Sequence, residues 1–204
     1  MEILVDQRIE LLAVIQTLSG YWDNFAQKYM KKSHFASNYK IIISPLIMGC
    51  YSISMNNDLE KKCYQIMCPT EYNNKYIFNY PEPIIHILWH EISHTIINDL
   101  TEKYINEFDI KNVKIPENIK NTGYSIAEVV INEYIIRAIV YMLVELNECE
   151  NSAALQLEVE KNFGFTEVKN LKNYIIENCE KNNKLLLDEN YRKLMKFVIN
   201  KILK

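Results

Sequence analysis

Apolar residues recur at helical spacing through much of this chain, and where they alternate instead they do so in one confined region. From Val5 to Ala26 they fall at Ile9, Leu12, Ala13, Ile15 and Leu18, which predicts an opening helix ending near Ser19-Gly20. Between Lys40 and Pro69 the pattern becomes that of strands: Ile41-Ile42-Ile43, then Cys50 to Met55, and Cys63 to Met67 as the return strand. Asn56-Asn57-Asp58 is the turn signal between the last two, and Tyr76-Ile77-Phe78 reads as an added edge strand. Pro81 and Pro83 punctuate the entry to a helix expected over Glu82–Tyr104. A polar loop around Asn106 to Asn121 contains Pro116, and a strongly apolar helix follows over Ser125–Leu146. From Ser152 onward the pattern is that of two or three amphipathic helices, broken at Gly164. The expected class is α+β, mainly helical, with a small antiparallel sheet preceding the Glu82–Tyr104 helix.

Composition narrows what such a chain does. With 204 residues, 49% of them hydrophobic, it can bury a proper core, and a single domain over 1–204 is the expectation. A net charge of -3 gives no electrostatic case for nucleic acid or an anionic membrane. No apolar run reaches the roughly 20 residues that a membrane span requires. The first residues, Met-Glu-Ile-Leu-Val-Asp-Gln-Arg, lack a basic region followed by a long apolar stretch, so the chain as written reads as cytoplasmic; removal of an export leader would reverse that. Five cysteines (Cys50, Cys63, Cys68, Cys149 and Cys179) without a CxxC pair read as reduced thiols rather than a disulfide frame or a structural zinc site.

The chemistry is concentrated in His90-Glu91-Ile92-Ser93-His94. At 3.6 residues per turn, His90 and His94 lie on one helical face, one turn apart, so both imidazoles can reach a single ion. Glu91 projects beside them as the candidate general base for an attacking water. The flanks Ile84-Ile85-His86-Ile87-Leu88-Trp89 and Thr95-Ile96-Ile97 carry no formal charge apart from any on His86, which predicts a buried helix. Two histidines and a carboxylate in such a setting are costly to desolvate without a shared partner, and a metal ion is one. This HExxH spacing makes the expected fold zincin-like. His86 is also one turn from His90, but it lies about 12 Å along the axis from His94, so all three cannot bind one ion on a straight helix. His86 is expected to support the site, face substrate or sit in the core, and His34 falls in a polar loop without a signal. Asn98 and Asp99, just beyond His94, are candidates to orient its ring.

A catalytic zinc site has three protein ligands and one open position. No metzincin-type Gly and third His follow His94, so the third ligand must come from farther along the chain. The apolar helix holds two glutamates. Ser125-Ile126-Ala127-Glu128 has the spacing of a capping box, which assigns Glu128 to the helix start. Glu133 lies in mid-helix between Val129-Val130-Ile131 and Ile135-Ile136, where a carboxylate needs compensation. Metal coordination is the favoured reading, and an ion pair with Arg137 at i+4 is the alternative. Arg137 is then expected behind the ligand or against a substrate carboxylate. Tyr124 and Tyr80, at the entries to the two helices, are candidates to stabilise an oxyanion.

Three segments resemble a bacterial group of predicted gluzincin metallopeptidases catalogued as a domain of unknown function. They are Val5-Asp6-Gln7-Arg8-Ile9-Glu10-Leu11-Leu12, similar to an Asp-x-Arg-x-Glu-Leu segment; the motif helix His90 to Asn98; and Glu133-Tyr134-Ile135-Ile136-Arg137-Ala138, similar to Glu-x-x-x-Arg-Ala. The resemblance covers most of the chain and carries the third-ligand role onto Glu133. Many relatives are exported, a feature this chain does not share as written. The expected activity is a zinc-dependent hydrolysis of a peptide or protein substrate, with Glu91 catalytic and His90, His94 and Glu133 on the metal. A zinc-binding module without turnover, and a hydrolase of a small-molecule amide or ester, are the readings the sequence leaves open. An intact Glu91 speaks against the first, since a purely structural site needs no general base.

Overall fold

A computed structural model describes residues 21, 24–25, 39–44, 49–57, 60–72, 75–77, 84–182 and 189–203. The expected helix Val5–Ala26 lies outside these apart from three helical residues, and His34, Tyr80, Pro81 and Pro83 lie outside them altogether. The chain forms two compact units, residues 1–92 and 93–204.

The first unit holds the strands. Strands β1 (Tyr39–Ile43), β2 (Tyr51–Asn57) and β3 (Glu60–Met67) form one sheet in the order β1-β3-β2. The β2–β3 hairpin is antiparallel, pairing Tyr51 with Ile66 through to Asn57 with Glu60. Asn56 and Asn57, expected in the turn, thus belong to the ladder, and residues 58 and 59 lie between the strands. The sheet is mixed rather than wholly antiparallel, because β1 runs parallel to β3, with Tyr39 opposite Cys63 and Ile43 opposite Met67. Period-two alternation explains the burial of β3: Cys63, Gln65 and Met67 face inward, and Tyr64 and Ile66 lie on the opposite, partly exposed face. On the edge strand β2, Tyr51, Ile53 and Met55 share that second face and are exposed. Strand β4 (Thr70–Tyr72) pairs antiparallel with β5 (Lys75–Ile77) as a separate two-stranded sheet. The segment read as an edge strand is therefore part of its own hairpin.

Helix α1 (Ile84–Tyr104) carries the boundary between the units, and it buries Ile84, His86, Leu88, Trp89, Ile96 and Ile97. In the second unit a 3-10 turn (Ile105–Glu107) and the short helix α2 (Glu117–Lys120) occupy the stretch expected as loop, with Pro116 capping α2. Helix α3 (Ala127–Asn147) follows. Every residue from Val130 to Val144 is buried, so α3 is covered on all sides and needs no amphipathic stripe. Against it pack α4 (Glu150–Asn162) and α5 (Val168–Asn182). Helix α6 (Glu189–Phe197) and a π-helical turn (Val198–Ile202) end the described chain. No helix among the described residues is long and apolar enough to cross a membrane.

Two helix termini in the second unit are shaped by local backbone geometry. The start of α3 has Ile126, not Ser125, at its N-cap, without a side-chain cap hydrogen bond. The capping box expected from Ser125 and Glu128 is therefore absent, because the chain enters helical geometry one residue later than that spacing requires. The other terminus is the end of α4, which closes in a Schellman turn. Gly164 has a φ of 89°, its N–H donates to Lys161 O, and Phe165 N–H donates to Glu160 O. A Cβ at Gly164 would approach Asn118 and Ile119 at 3.1 Å, so both the backbone and the space call for glycine.

Candidate metal centre

The helical period of α1 places His90 and His94 on one face, as the spacing predicts, and Glu133 of α3 joins them. Their ligand atoms all lie within 4.8 Å of one another. Nε2 of His94 is 3.4 Å from Oε1 of Glu133. Four zinc ligands at about 2.0–2.2 Å in a tetrahedron stand roughly 3.3 Å apart, so the His94–Glu133 separation is that of two ligands on one ion. Nδ1 of His94 lies 3.2 Å from Oδ1 of Asn98, one turn farther along α1. An amide oxygen only accepts, so in this contact Nδ1 is the donor and Nε2 is the ring nitrogen that faces the carboxylate. Two acceptors so placed call for a cation between them, either a proton or a metal.

Behind the cluster lies a buried polar chain. Glu133 is 4% exposed, Arg137 7% and Glu160 2%. Arg137 Nε donates to Glu133 Oε2 at 3.0 Å, Nη2 lies 3.0 Å from the same oxygen, and Nη1 donates to Glu160 Oε2 at 2.5 Å. Gln156 Nε2 donates to the other oxygen of Glu160 at 2.7 Å. The Phe165 ring lies 4.3 Å from the guanidinium carbon. Burial by itself would lower the pKa of Arg137, but the carboxylates of Glu160 and Glu133 outweigh it and hold the charge more firmly than usual. Arg137 is thus enclosed by protein groups and lies behind Glu133, one of the two places expected for it. One Glu133 oxygen faces His94 and the other faces Arg137, so the ion pair leaves the first oxygen beside the histidines.

Tyr124 belongs to the same chain of contacts. Its hydroxyl accepts from Arg137 Nη2 at 3.3 Å and is also hydrogen-bonded to Glu133. Burial, then the Glu133 charge, raises its pKa, with Arg137 opposing. The hydroxyl is committed to this pair. Glu91 is 9% exposed and adjoins His90 in α1. His86 is 2% exposed, its ring stacked on Trp89 with centroids 5.7 Å apart, which makes it a core histidine. Glu128 is half-buried in the first turn of α3, away from the three-residue cluster.

Glu160, Gln156 and Phe165 were not singled out by sequence. A signal for the first two existed: Ala153, Gln156 and Glu160 are the buried positions of α4, spaced i, i+3, i+7. Two polar residues on the inward stripe of a helix require an internal partner.

Fold and site together define an α+β protein with a His/His/Glu cluster able to hold a metal ion. A family model described as "Domain of unknown function (DUF4932)" matches residues 32–197, most of the chain, and the protein belongs to that family. No curated protein and no solved structure matches the chain.

Proposed function

We propose that this protein is a zinc-dependent hydrolase of peptide bonds. His90, His94 and Glu133 hold the ion and Glu91 is the general base. The observation that carries this reading is the approach of His94 Nε2 to Glu133 Oε1 beside His90, with Asn98 on the far nitrogen of the His94 ring. Two imidazoles and a carboxylate suit zinc better than magnesium or calcium, which prefer oxygen donors. A charge count agrees: with Glu91 beside them, Glu133 and Glu160 exceed Arg137 by two negative charges in a buried setting, and a divalent cation compensates that excess.

When bound, zinc supplies Lewis acidity toward the scissile carbonyl and brings the pKa of water down to about 7. The chain's own residues do the rest. Glu91 accepts a proton from the attacking water and returns it to the leaving nitrogen. Arg137 holds Glu133 at its second oxygen, and Tyr124 steadies the pair. Asn98 holds His94 in the tautomer that presents Nε2.

The test uses peptide libraries incubated with wild type and Glu91→Gln, with and without a zinc chelator. Zinc should stay bound in Glu91→Gln, and hydrolysis should fall about 10²–10⁴-fold, the range for loss of a general base. Cleavage that persists in the variant removes the mechanism. Zinc binding without cleavage of any library moves the assignment to a small-molecule amide or ester, or to a binding module.

A further inference from the structure

Cys50 immediately precedes β2 and Cys68 immediately follows β3. The antiparallel register, with Tyr51 opposite Ile66, carries both to the open end of the same hairpin. Their sulfurs lie 4.0 Å apart. Gly49, with a φ of 104°, aims its N–H at Cys68 Sγ at 3.2 Å and so holds that sulfur beside its neighbour. A Cβ at position 49 would meet the Tyr51 hydroxyl at 3.1 Å in a backbone conformation side chains rarely adopt. A disulfide needs its sulfurs about 2.0 Å apart, so closure takes roughly 2 Å of side-chain movement and no change of strand register. Both cysteines are partly exposed, which admits a small reagent.

We propose that Cys50 and Cys68 are a redox pair that closes to an intramolecular disulfide by exchange with a low-molecular-weight disulfide. One thiolate attacks a sulfur of the reagent R–S–S–R, forming a mixed disulfide and releasing RS⁻. The second cysteine, its proton passed to solvent, attacks the bonded protein sulfur and expels the second RS⁻. Two protein thiols are oxidised, and one reagent disulfide is reduced to two thiols.

Burial pushes the Cys50 thiol up to about 12, against a backbone hydrogen bond at Cys68 that lowers it and with the Cys68 side chain and the Glu91 carboxylate raising it further. Cys50 is therefore rarely ionised near neutrality, and the first attack falls to Cys68, with Cys50 resolving the mixed disulfide from close range.

The full chain is incubated in a glutathione buffer with the oxidised form in excess, quenched with an alkylating reagent, and mapped by mass spectrometry without reduction. The expected result is a monomer in which the Cys50 and Cys68 peptides are linked, whatever state Cys149 reaches. In Cys50→Ser, Cys68 should accumulate as the glutathione adduct. Alkylation of both thiols in wild type, separate glutathione adducts on each, or bonding of either to another cysteine would overturn the proposal.

Discussion

His94 Nε2 and Glu133 Oε1 face each other across 3.4 Å, although 39 residues separate them in the chain. Each is held from behind by a polar partner: Asn98 on the imidazole and Arg137 on the carboxylate. The pair is thereby held in a fixed orientation, and under the proposed function substitutions at either residue or at the groups behind them should act on metal affinity.

Purified protein should carry about one zinc per chain, the stoichiometry of a three-ligand site. His90→Ala, His94→Ala and Glu133→Ala should each lose it, measured by elemental analysis after dialysis against a weak chelator. Retention of full zinc by Glu133→Ala would show that the Arg137 ion pair is the whole role of that carboxylate.

Asn98 is exposed, so its replacement should not disturb packing. Removing the acceptor on Nδ1 frees the His94 ring to turn and change tautomer. Asn98→Ala should weaken zinc binding at the lower end of the 10–100-fold range for groups that orient a ligand, and Asn98→Asp should preserve it. Competition with a chromogenic chelator reads both. Equal affinity in all three proteins would dissociate Asn98 from the site.

Arg137 links Glu160 to Glu133. Arg137→Ala leaves two buried carboxylates without their cation and should cost about 3–5 kcal/mol. Glu160→Gln keeps the shape and removes a charge, so it should loosen the hold on Glu133 and weaken zinc about 10–100-fold. Urea denaturation of the metal-free protein separates stability from affinity. A Glu160→Gln variant that is destabilised yet binds zinc normally would confine the network to structure.

Ile126 occupies the N-cap of α3, is 62% exposed, and offers no acceptor to the first amides of the helix. Ile126→Asp should stabilise the fold by about 0.5–2 kcal/mol through the missing cap. Ser125→Ala should cost less than a functioning cap does. Thermal denaturation decides both, and a marked loss in Ser125→Ala would restore the cap to Ser125.

Local spacing accounts for much of what is legible in the sequence. The period of 3.6 aligns His90 with His94 in any helix, and the charge-free flanks mark α1 as buried without reference to a partner. Glu133 stands out because a carboxylate amid Val130, Ile131, Ile135 and Ile136 must be compensated somewhere. Alternation over Cys63 to Met67 marks a strand with one inward face, since side chains two apart point the same way.

The tertiary structure decided which groups answer those demands. That β1 runs parallel to β3 depends on the path of the intervening chain, to which residue alternation is blind. Glu160 lies 23 positions beyond Arg137, and only the packing of α4 on α3 brings them together. The Schellman turn at Gly164 then sets Phe165 against the same guanidinium. Whether Glu133 serves Arg137 or His94 was an open choice along the chain, because a helix fixes i+4 neighbours but not what approaches its far side. In three dimensions the carboxylate has two oxygens, and one faces His94 while the other faces Arg137.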